Sequence, residues 1–332
     1  MKIKSLVILF LLTIILIMPT RANASELSFS VQALLPENQI NQLHTYFDLL
    51  MKPNQKQTIQ VAIKNDKDEE IQVEVNANTA ITNSNGIIEY TNPNPKIDNT
   101  LKTEFRSIVQ TENLIIIPKN STKNAAFTIQ MPEKPYNGMI LGGLHFMEKD
   151  KEALTKKTDS LQVDNRYSYT IGVVLQENRT KIAPDLTLPS VKKGQILGQN
   201  TIFTTLKNPN ATILGDLFIT ASVYKQGETS PIKQQSTKNL RMAPNSNFDY
   251  AIKWDNQKFK PGKYKVVIEA KGKEKNWKLQ KNFTITAKEA KIFNDKAINL
   301  KQTGIPIWLY IVGTSLVVLL VGFIAYRIGK RR

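Results

Sequence analysis

Apolar and polar residues alternate with a period of two through most of the middle of the chain, and this feature limits the fold more than any other. Successive side chains of a β-strand point to opposite faces, so an alternating segment buries one face and leaves the other in water. Turn residues such as Asn85-Gly86 and Pro261-Gly262 separate the alternating segments. The pattern therefore predicts an all-β fold built from antiparallel sheets. The clearest segments are 59–63, 71–75, 127–131, 248–254 and 264–268.

The order of a turn, a strand, a Pro–Gly corner and a second strand occurs twice, at 118–147 and at 244–270. This order is typical of the later half of an immunoglobulin-like sandwich, so it predicts two tandem immunoglobulin-like β-sandwich domains; chance similarity between β sequences is the alternative. The charged run Glu148–Lys157 favours a boundary between residues 148 and 164. The strand Tyr167–Leu175 follows, and the sequence leaves open whether it closes the first sandwich or begins the second.

Both ends of the chain have the character of targeting segments. Residues 1–24 combine a charged start, an apolar run and an A-x-A site, which predicts a signal peptide cleaved after Ala24; an uncleaved anchor is the alternative. Residues 305–326 carry no charge, and as a helix they would extend roughly 33 Å, enough for a hydrocarbon core of about 30 Å. The basic residues of 327–332 predict a cytoplasmic tail. We therefore expect one C-terminal transmembrane helix, in a single-pass protein of the cell membrane with an extracellular ectodomain.

The pentapeptide Leu300–Gly304 resembles the sortase sorting signal L-P-x-T-G, which also precedes a hydrophobic stretch and a basic tail. Lys301 stands where that signal has proline, and the proline sets the bend that the transpeptidase reads. We expect a retained membrane anchor, with sortase processing as the alternative.

On this topology, most of the net charge of +17 lies outside the cell. Residues 25–326 carry +10 once the three basic residues of the signal and the four of the tail are set aside. A basic extracellular surface favours an anionic neighbour, and export argues against nucleic acid as a partner. Lysines are dense in 253–281, where they either steer a partner or protect exposed strand edges from aggregation.

The chain contains no Cys and only two His, which excludes a disulfide framework, thiolate metal sites and a cysteine nucleophile. Neither His44 nor His145 has a second ligand at metal-binding spacing, and G-x-S-x-G and H-E-x-x-H are absent from the sequence. We therefore expect no catalytic, cofactor-binding or metal-binding residues and no enzyme activity. Gly142-Gly143 within a strand indicates a close approach by another group, either a glycan or a packing side chain.

Several blocks of the sequence resemble the WxL-interacting proteins, a family of Gram-positive cell surfaces. The blocks are Leu35–Ile40, Tyr46–Leu49 with Lys52–Gln57, Thr82–Gly86, Gly138–Leu144, Ile171–Leu175 and Met242–Tyr250. The resemblance implies a peptidoglycan-binding domain at 26–150, a host-binding domain at 160–300 and a membrane anchor at 305–326. It also implies WxL-domain surface proteins as partners.

The residues and the resemblance together predict a non-catalytic cell-surface binding protein. It would attach to peptidoglycan and link WxL-domain surface proteins or host extracellular-matrix proteins to the cell envelope. A purely structural stalk or adhesin is the alternative, and a cell-wall hydrolase is a weaker one. Saccharides usually rest on aromatic rings and hydrogen-bond to amides. The candidate glycan-contacting residues are therefore Tyr46, Tyr90, Tyr136, Asn85 and Asn137, with core or turn positions as the alternative.

Overall fold

The fold is taken from a computed structural model, which describes residues 29–149, 167–298, 300 and 307–330. The predicted signal peptide, most of the predicted domain boundary and residues 301–304 lie outside the described residues. The chain divides into two compact units. The first comprises residues 1–81 and 89–182, and the second comprises residues 82–88 and 183–332.

Two sheets form the first unit. One has the order β1-β3-β9-β7, and the other has the order β2-β11-β10-β4-β8, in which only the β2–β11 pair is parallel. A 3₁₀ turn, Phe105–Ser107, precedes β7, and β5 and β6 pair with each other. The strands are β1 (Phe29–Leu34), β2 (Phe47–Leu50), β3 (Lys56–Asn65), β4 (Ile71–Thr79), β5 (Ile81–Thr82), β6 (Ile88–Glu89), β7 (Val109–Thr111), β8 (Leu114–Ile117), β9 (Thr122–Gln130), β10 (Met139–Glu148) and β11 (Ser168–Gln176).

The alternating residues of the first unit are the ones that form its core. In β3, Ile59, Val61 and Ile63 are buried, while Gln60 and Ala62, which point to the other face, are exposed and half-buried respectively. The rings of Phe127 in β9 and Phe146 in β10 meet edge to face, with centroids 6.0 Å apart. Burial of these apolar faces against each other holds the two sheets together as a sandwich.

The strand after the predicted boundary belongs to the first sandwich. This strand is β11, which pairs antiparallel with Met139–Met147 of β10 and parallel with β2. Ile171, Val173 and Leu175 of β11 are buried. Of the two possibilities that the sequence leaves open, the structure therefore has this strand closing the first sandwich.

The second unit is also built from two sheets, with the orders β12-β13-β16 and β15-β14-β17-β18. Its core contains Trp254, Phe259, Tyr264 and Trp277. A short helix α1 (Ala287–Lys296) follows the last strand and begins with a capping box between Thr286 and Glu289. The strands are β12 (Thr187–Ile196), β13 (Gln199–Asn208), β14 (Leu214–Lys225), β15 (Lys233–Met242), β16 (Ser246–Lys253), β17 (Gly262–Lys271) and β18 (Asn276–Ile285).

The last element is helix α2, Ile307–Gly329. No helix among the described residues is long and apolar enough to cross a membrane. The predicted fold class is therefore wrong in its C-terminal transmembrane helix at 305–326, whereas the all-β fold that it predicts is confirmed.

Candidate functional site

Two of the candidate tyrosines lie over a pair of glycines in the five-stranded sheet. Gly143 in β10 and Gly172 in β11 are direct partners in the antiparallel register. A Cβ atom added at Gly143 would lie 2.8 Å from the Cβ of Tyr90, and one added at Gly172 would lie 3.8 Å from the Cβ of Tyr46. Directly opposed residues share one face of a sheet. The structure therefore brings Tyr46 and Tyr90 together over the face that points away from the core.

The close approach predicted at Gly142-Gly143 is made by packing side chains. A Cβ at Gly142 would lie 2.0 Å from Cδ1 of the buried Phe105 ring, on the core face of the sheet. Gly143 receives Tyr90 on the opposite face. Both glycines are therefore needed because a neighbouring aromatic residue occupies the space of a side chain.

The other three candidates do not join this face. The side chain of Tyr136 is buried, its main-chain N–H donates to Oε2 of Glu177 at 2.6 Å, and burial raises the pKa of its phenol. The Oδ1 atom of Asn137 accepts a hydrogen bond from Asn178 at 3.2 Å. Asn85 is exposed in a turn within residues 82–88, which belong to the second unit. Glycan contact by any of the five candidates stays a prediction. Tyr136 is a core residue, which was the alternative to glycan contact.

A cleft of about 330 Å³ lies beside β4 in the first unit. We call it the amide cleft, because four of its nine lining residues carry side-chain amides. Its lining comprises Asn76, Ala77, Asn78, Pro93, Arg106, Val109, Gln110, Thr111 and Asn113.

The cleft exists because a strand stops pairing. β8 pairs with β4 only from Ile71 to Glu74, and the N–H of Val75 then donates to the carbonyl oxygen of Asn113 at 2.9 Å. β7, which supplies the opposite wall, is the last strand of the other sheet. The amide cleft therefore lies between two strand edges, where main-chain groups as well as side chains are accessible to a ligand.

Asn78 connects the amide cleft to the tyrosine face. Its Nδ2 donates to the carbonyl oxygen of Tyr90 at 2.8 Å, and its register partner in β10 is Gly143. Asn76 lies two residues earlier on β4 and on the same side of the sheet. The chain at Tyr90 is thus held against the wall of the cleft by one hydrogen bond and one close packing contact.

Arg106 is the charged residue among those that line the amide cleft. Its Nη1 donates to Oδ1 of Asn94 at 2.9 Å and to the carbonyl oxygen of Pro93, and its Nε lies 3.5 Å from a carboxylate oxygen of Glu104. These contacts fix a partly exposed guanidinium at the rim of the cleft. Guanidinium and amide groups together can bind a carboxylate, a hydroxyl or an acetamido group.

The arrangement is suited to binding and not to acid–base chemistry. The lining of the amide cleft contains neither a carboxyl group nor an imidazole. Within residues 29–149, 167–298 and 307–330, no cluster of three or more His, Asp or Glu could hold a metal ion. This cleft was not predicted from the sequence. The only signal for it was the polar face of β4, where Gln72, Glu74, Asn76 and Asn78 alternate with apolar residues.

Two protein-family models match the chain. The peptidoglycan binding domain of WxL Interacting Protein matches residues 29–148, a range that contains the whole amide cleft. The host binding domain of the same protein matches residues 158–295. A comparison with curated proteins found no match.

The chain also has a distant likeness to solved structures. A structure of a chaperone–tip adhesin complex of CFA/I fimbriae is 11% identical, with 78% of this chain and 98% of that chain covered and a TM-score of 0.31. The chaperone DraB of E. coli is 12% identical over 78% and 98%, with a TM-score of 0.30. A PapD-like domain of human CEP192 is 5% identical over 46% and 87%, with a TM-score of 0.28.

Proposed function

The chain belongs to the WxL-interacting protein family, and on that basis we propose that it is a non-catalytic cell-surface protein whose first unit binds peptidoglycan in the amide cleft. The observation that carries this proposal is the grouping of four amides and one arginine between two strand edges, inside the range matched by the peptidoglycan-binding model.

The chemistry of the cleft fits the chemistry of the wall polymer. Peptidoglycan presents sugar hydroxyls, N-acetyl groups and carboxylates of its peptide stems. Each Asn or Gln side chain offers a donor and an acceptor, as hydroxyl and acetamido groups require, and Arg106 supplies the charge that pairs with a carboxylate. Tyr90, fixed by Asn78 beside the cleft, offers an aromatic surface against which a sugar ring can rest.

The strand edges add a means of holding the peptide stem. From Asn76 onward, β4 has no strand partner on the β8 side among the residues that the structure describes. An extended peptide can join such an edge through main-chain hydrogen bonds, which do not depend on its side chains. The proposed binding mode is therefore a sugar against the polar face, with a stem along the edge of β4.

For the second unit we propose protein binding, with a WxL-domain surface protein or a host matrix protein as the partner. The match to the host-binding model supports this role, and the family supplies the WxL-domain partner. The outermost strands of its two sheets, β12, β16, β15 and β18, offer edges for such a partner. The chain would then link peptidoglycan to a second protein outside the cell.

Co-sedimentation with purified peptidoglycan sacculi tests the first part of the proposal. The full chain should appear in the pellet, while the turbidity of the sacculi and the number of reducing ends stay constant. A chain that remains in the supernatant would contradict binding, and falling turbidity would reveal a hydrolase. Addition of a WxL-domain protein to the loaded sacculi should bring that protein into the pellet only when the chain is present.

A further inference from the structure

A second cleft, of about 500 Å³, opens at one end of the four-stranded sheet of the second unit. It lies between the turn at 225–228, the beginning of β17 and the end of β18. We call it the lysine cleft, because three lysines line it. The residues that matter for its chemistry are Lys225, Glu228, Lys263, Lys265, Asn282 and Thr284.

The strand register places four polar side chains of this cleft on one face. Lys263 pairs with Thr284, and Lys265 pairs with Asn282, across the antiparallel strands β17 and β18. Opposed residues point to the same side of a sheet, and so do residues two apart along a strand. Two ammonium groups, one amide and one hydroxyl are therefore grouped on the outer face of the sheet.

The lysine cleft also has an aromatic part. The rings of Tyr264 and Phe283, which line the cleft from the core face of the same two strands, stack with centroids 5.5 Å apart. The turn above them is fixed by two main-chain hydrogen bonds, from Gln226 to Lys263 at 2.9 Å and from Glu228 to Lys225 at 3.0 Å. The turn and the end of the sheet therefore form a preformed cleft lined by both aromatic and cationic side chains.

The charges of the lysine cleft are only partly balanced. Lys225 lies 3.8 Å from Glu228, but no carboxylate of the described residues comes within ion-pair distance of Lys263 or Lys265. The Lys265 ammonium instead lies 5.5 Å from the centre of the Tyr224 ring. With three lysines and one glutamate in its lining, the cleft carries a net positive charge.

We propose that the lysine cleft binds the phosphodiester groups of an anionic polymer. A carboxylate is recognised best by the planar fork of arginine, and no arginine lines this cleft. A lysine ammonium acts as a point charge, and several ammonium groups can surround one tetrahedral phosphate. Asn282 and Thr284 add neutral donors to the phosphate oxygens. This assigns the second unit a polyanion site in addition to its proposed protein partner.

The test is calorimetric titration of the full chain with soluble poly(glycerol phosphate). The double variant Lys263→Gln, Lys265→Gln should bind at least about tenfold more weakly, because two charge-assisted contacts are lost. The matched control is the double variant Lys271→Gln, Lys278→Gln, which removes two lysines from β17 and β18 outside the cleft lining. The control should bind within about twofold of the unaltered chain.

Three results would overturn the proposal. They are equal binding by the cleft variant and the unaltered chain, an equal loss in the control, and equally tight binding of polyglutamate, which carries carboxylates only. Thermal unfolding of each variant separates a lost contact from a lost fold, and Asn282→Ala, which keeps all charges, should still weaken phosphate binding.

Vesicles containing phosphatidylglycerol distinguish a lipid headgroup from a polymer. Binding to the vesicles but not to poly(glycerol phosphate) would contradict a polymer as the ligand. Sacculus binding tests the first unit separately.

Discussion

The side-chain amide of Asn78 donates a hydrogen bond of 2.8 Å to the main-chain carbonyl oxygen of Tyr90. Asn78 is 1% exposed, so its amide cannot replace this bond with one to bulk water. Tyr90 also packs at Gly143, the register partner of Asn78 in β10. These two contacts fix the segment that carries Tyr90 beside the amide cleft.

Asn78→Asp is expected to lower the free energy of unfolding by at least about 2 kcal/mol, because a buried carboxylate would face the carbonyl oxygen of Tyr90 without a proton to donate. Urea denaturation at neutral pH measures the loss. The matched control is Asn76→Asp, two residues earlier on the same face of β4 and only half-buried. It should cost less than about 1 kcal/mol. Equal losses in the two variants would contradict the role given to the Asn78 bond.

The loss of stability when a single glycine is replaced by alanine should depend on the space available for a methyl group. Gly142→Ala places Cβ 2.0 Å from the Phe105 ring, Gly143→Ala places it 2.8 Å from Tyr90, and Gly172→Ala leaves an ordinary contact of 3.8 Å. Overpacking of a rigid core costs about 1–3 kcal/mol. We expect the largest loss of stability at Gly142 and almost none at Gly172. Thermal unfolding measures the order, and a loss at Gly172 as large as that at Gly142 would refute it.

The first unit should not fold without β11. A fragment of residues 29–149 covers the range matched by the peptidoglycan-binding model but lacks β11, which pairs with both β2 and β10 and buries three apolar side chains. A fragment of residues 29–182 contains it. We expect cooperative unfolding for the longer fragment and none for the shorter one, as followed by circular dichroism. Equal cooperativity in both would show that β11 is dispensable.

Stability should fall when the solution is acidified below neutral pH, because of His145. This side chain is 8% exposed in β10, and burial lowers the pKa of its imidazole below the ordinary value of 6.5. Between the two values the unfolded chain binds more protons than the folded chain, so stability decreases as the pH falls through that window. Between about pH 7.5 and about pH 5.5, the melting temperature of His145→Gln should fall less than that of the unaltered chain. Parallel decreases would count against His145.

The fold followed from the sequence wherever local periodicity decides structure. The alternation at Ile59–Ile63 and Phe127–Met131 predicts half-buried strands. Ile59–Ile63 lies within β3, and Phe127–Gln130 forms the end of β9 in the same sheet. Periodicity contains no information about which strand lies beside which, so the placement of Tyr167–Leu175 stayed open until its pairing with β10 was known. The uncharged run 305–326 predicted a membrane span that the described residues do not provide.

The site was harder to predict because it depends on register between distant strands. Tyr46 and Tyr90 were selected as aromatic residues, but only the pairing of Gly143 with Gly172 shows that they share a face. The amide cleft was not predicted at all. Asn76 and Arg106 are 30 residues apart, and they line one cleft that opens where β8 stops pairing with β4 at Glu74.

The most direct test of peptidoglycan binding in the amide cleft is a calorimetric titration of the full chain with a soluble disaccharide–peptide fragment of peptidoglycan. Arg106→Gln should raise the dissociation constant by about tenfold or more, because it removes a charged hydrogen-bond donor. Asn113→Ala should also raise it, and the exposed Asn113 side chain makes no hydrogen bond within the described residues, so the fold should persist. Arg179→Gln, an exposed arginine outside the cleft, should bind as the unaltered chain does. Unaltered binding by both cleft variants would contradict peptidoglycan binding in the amide cleft.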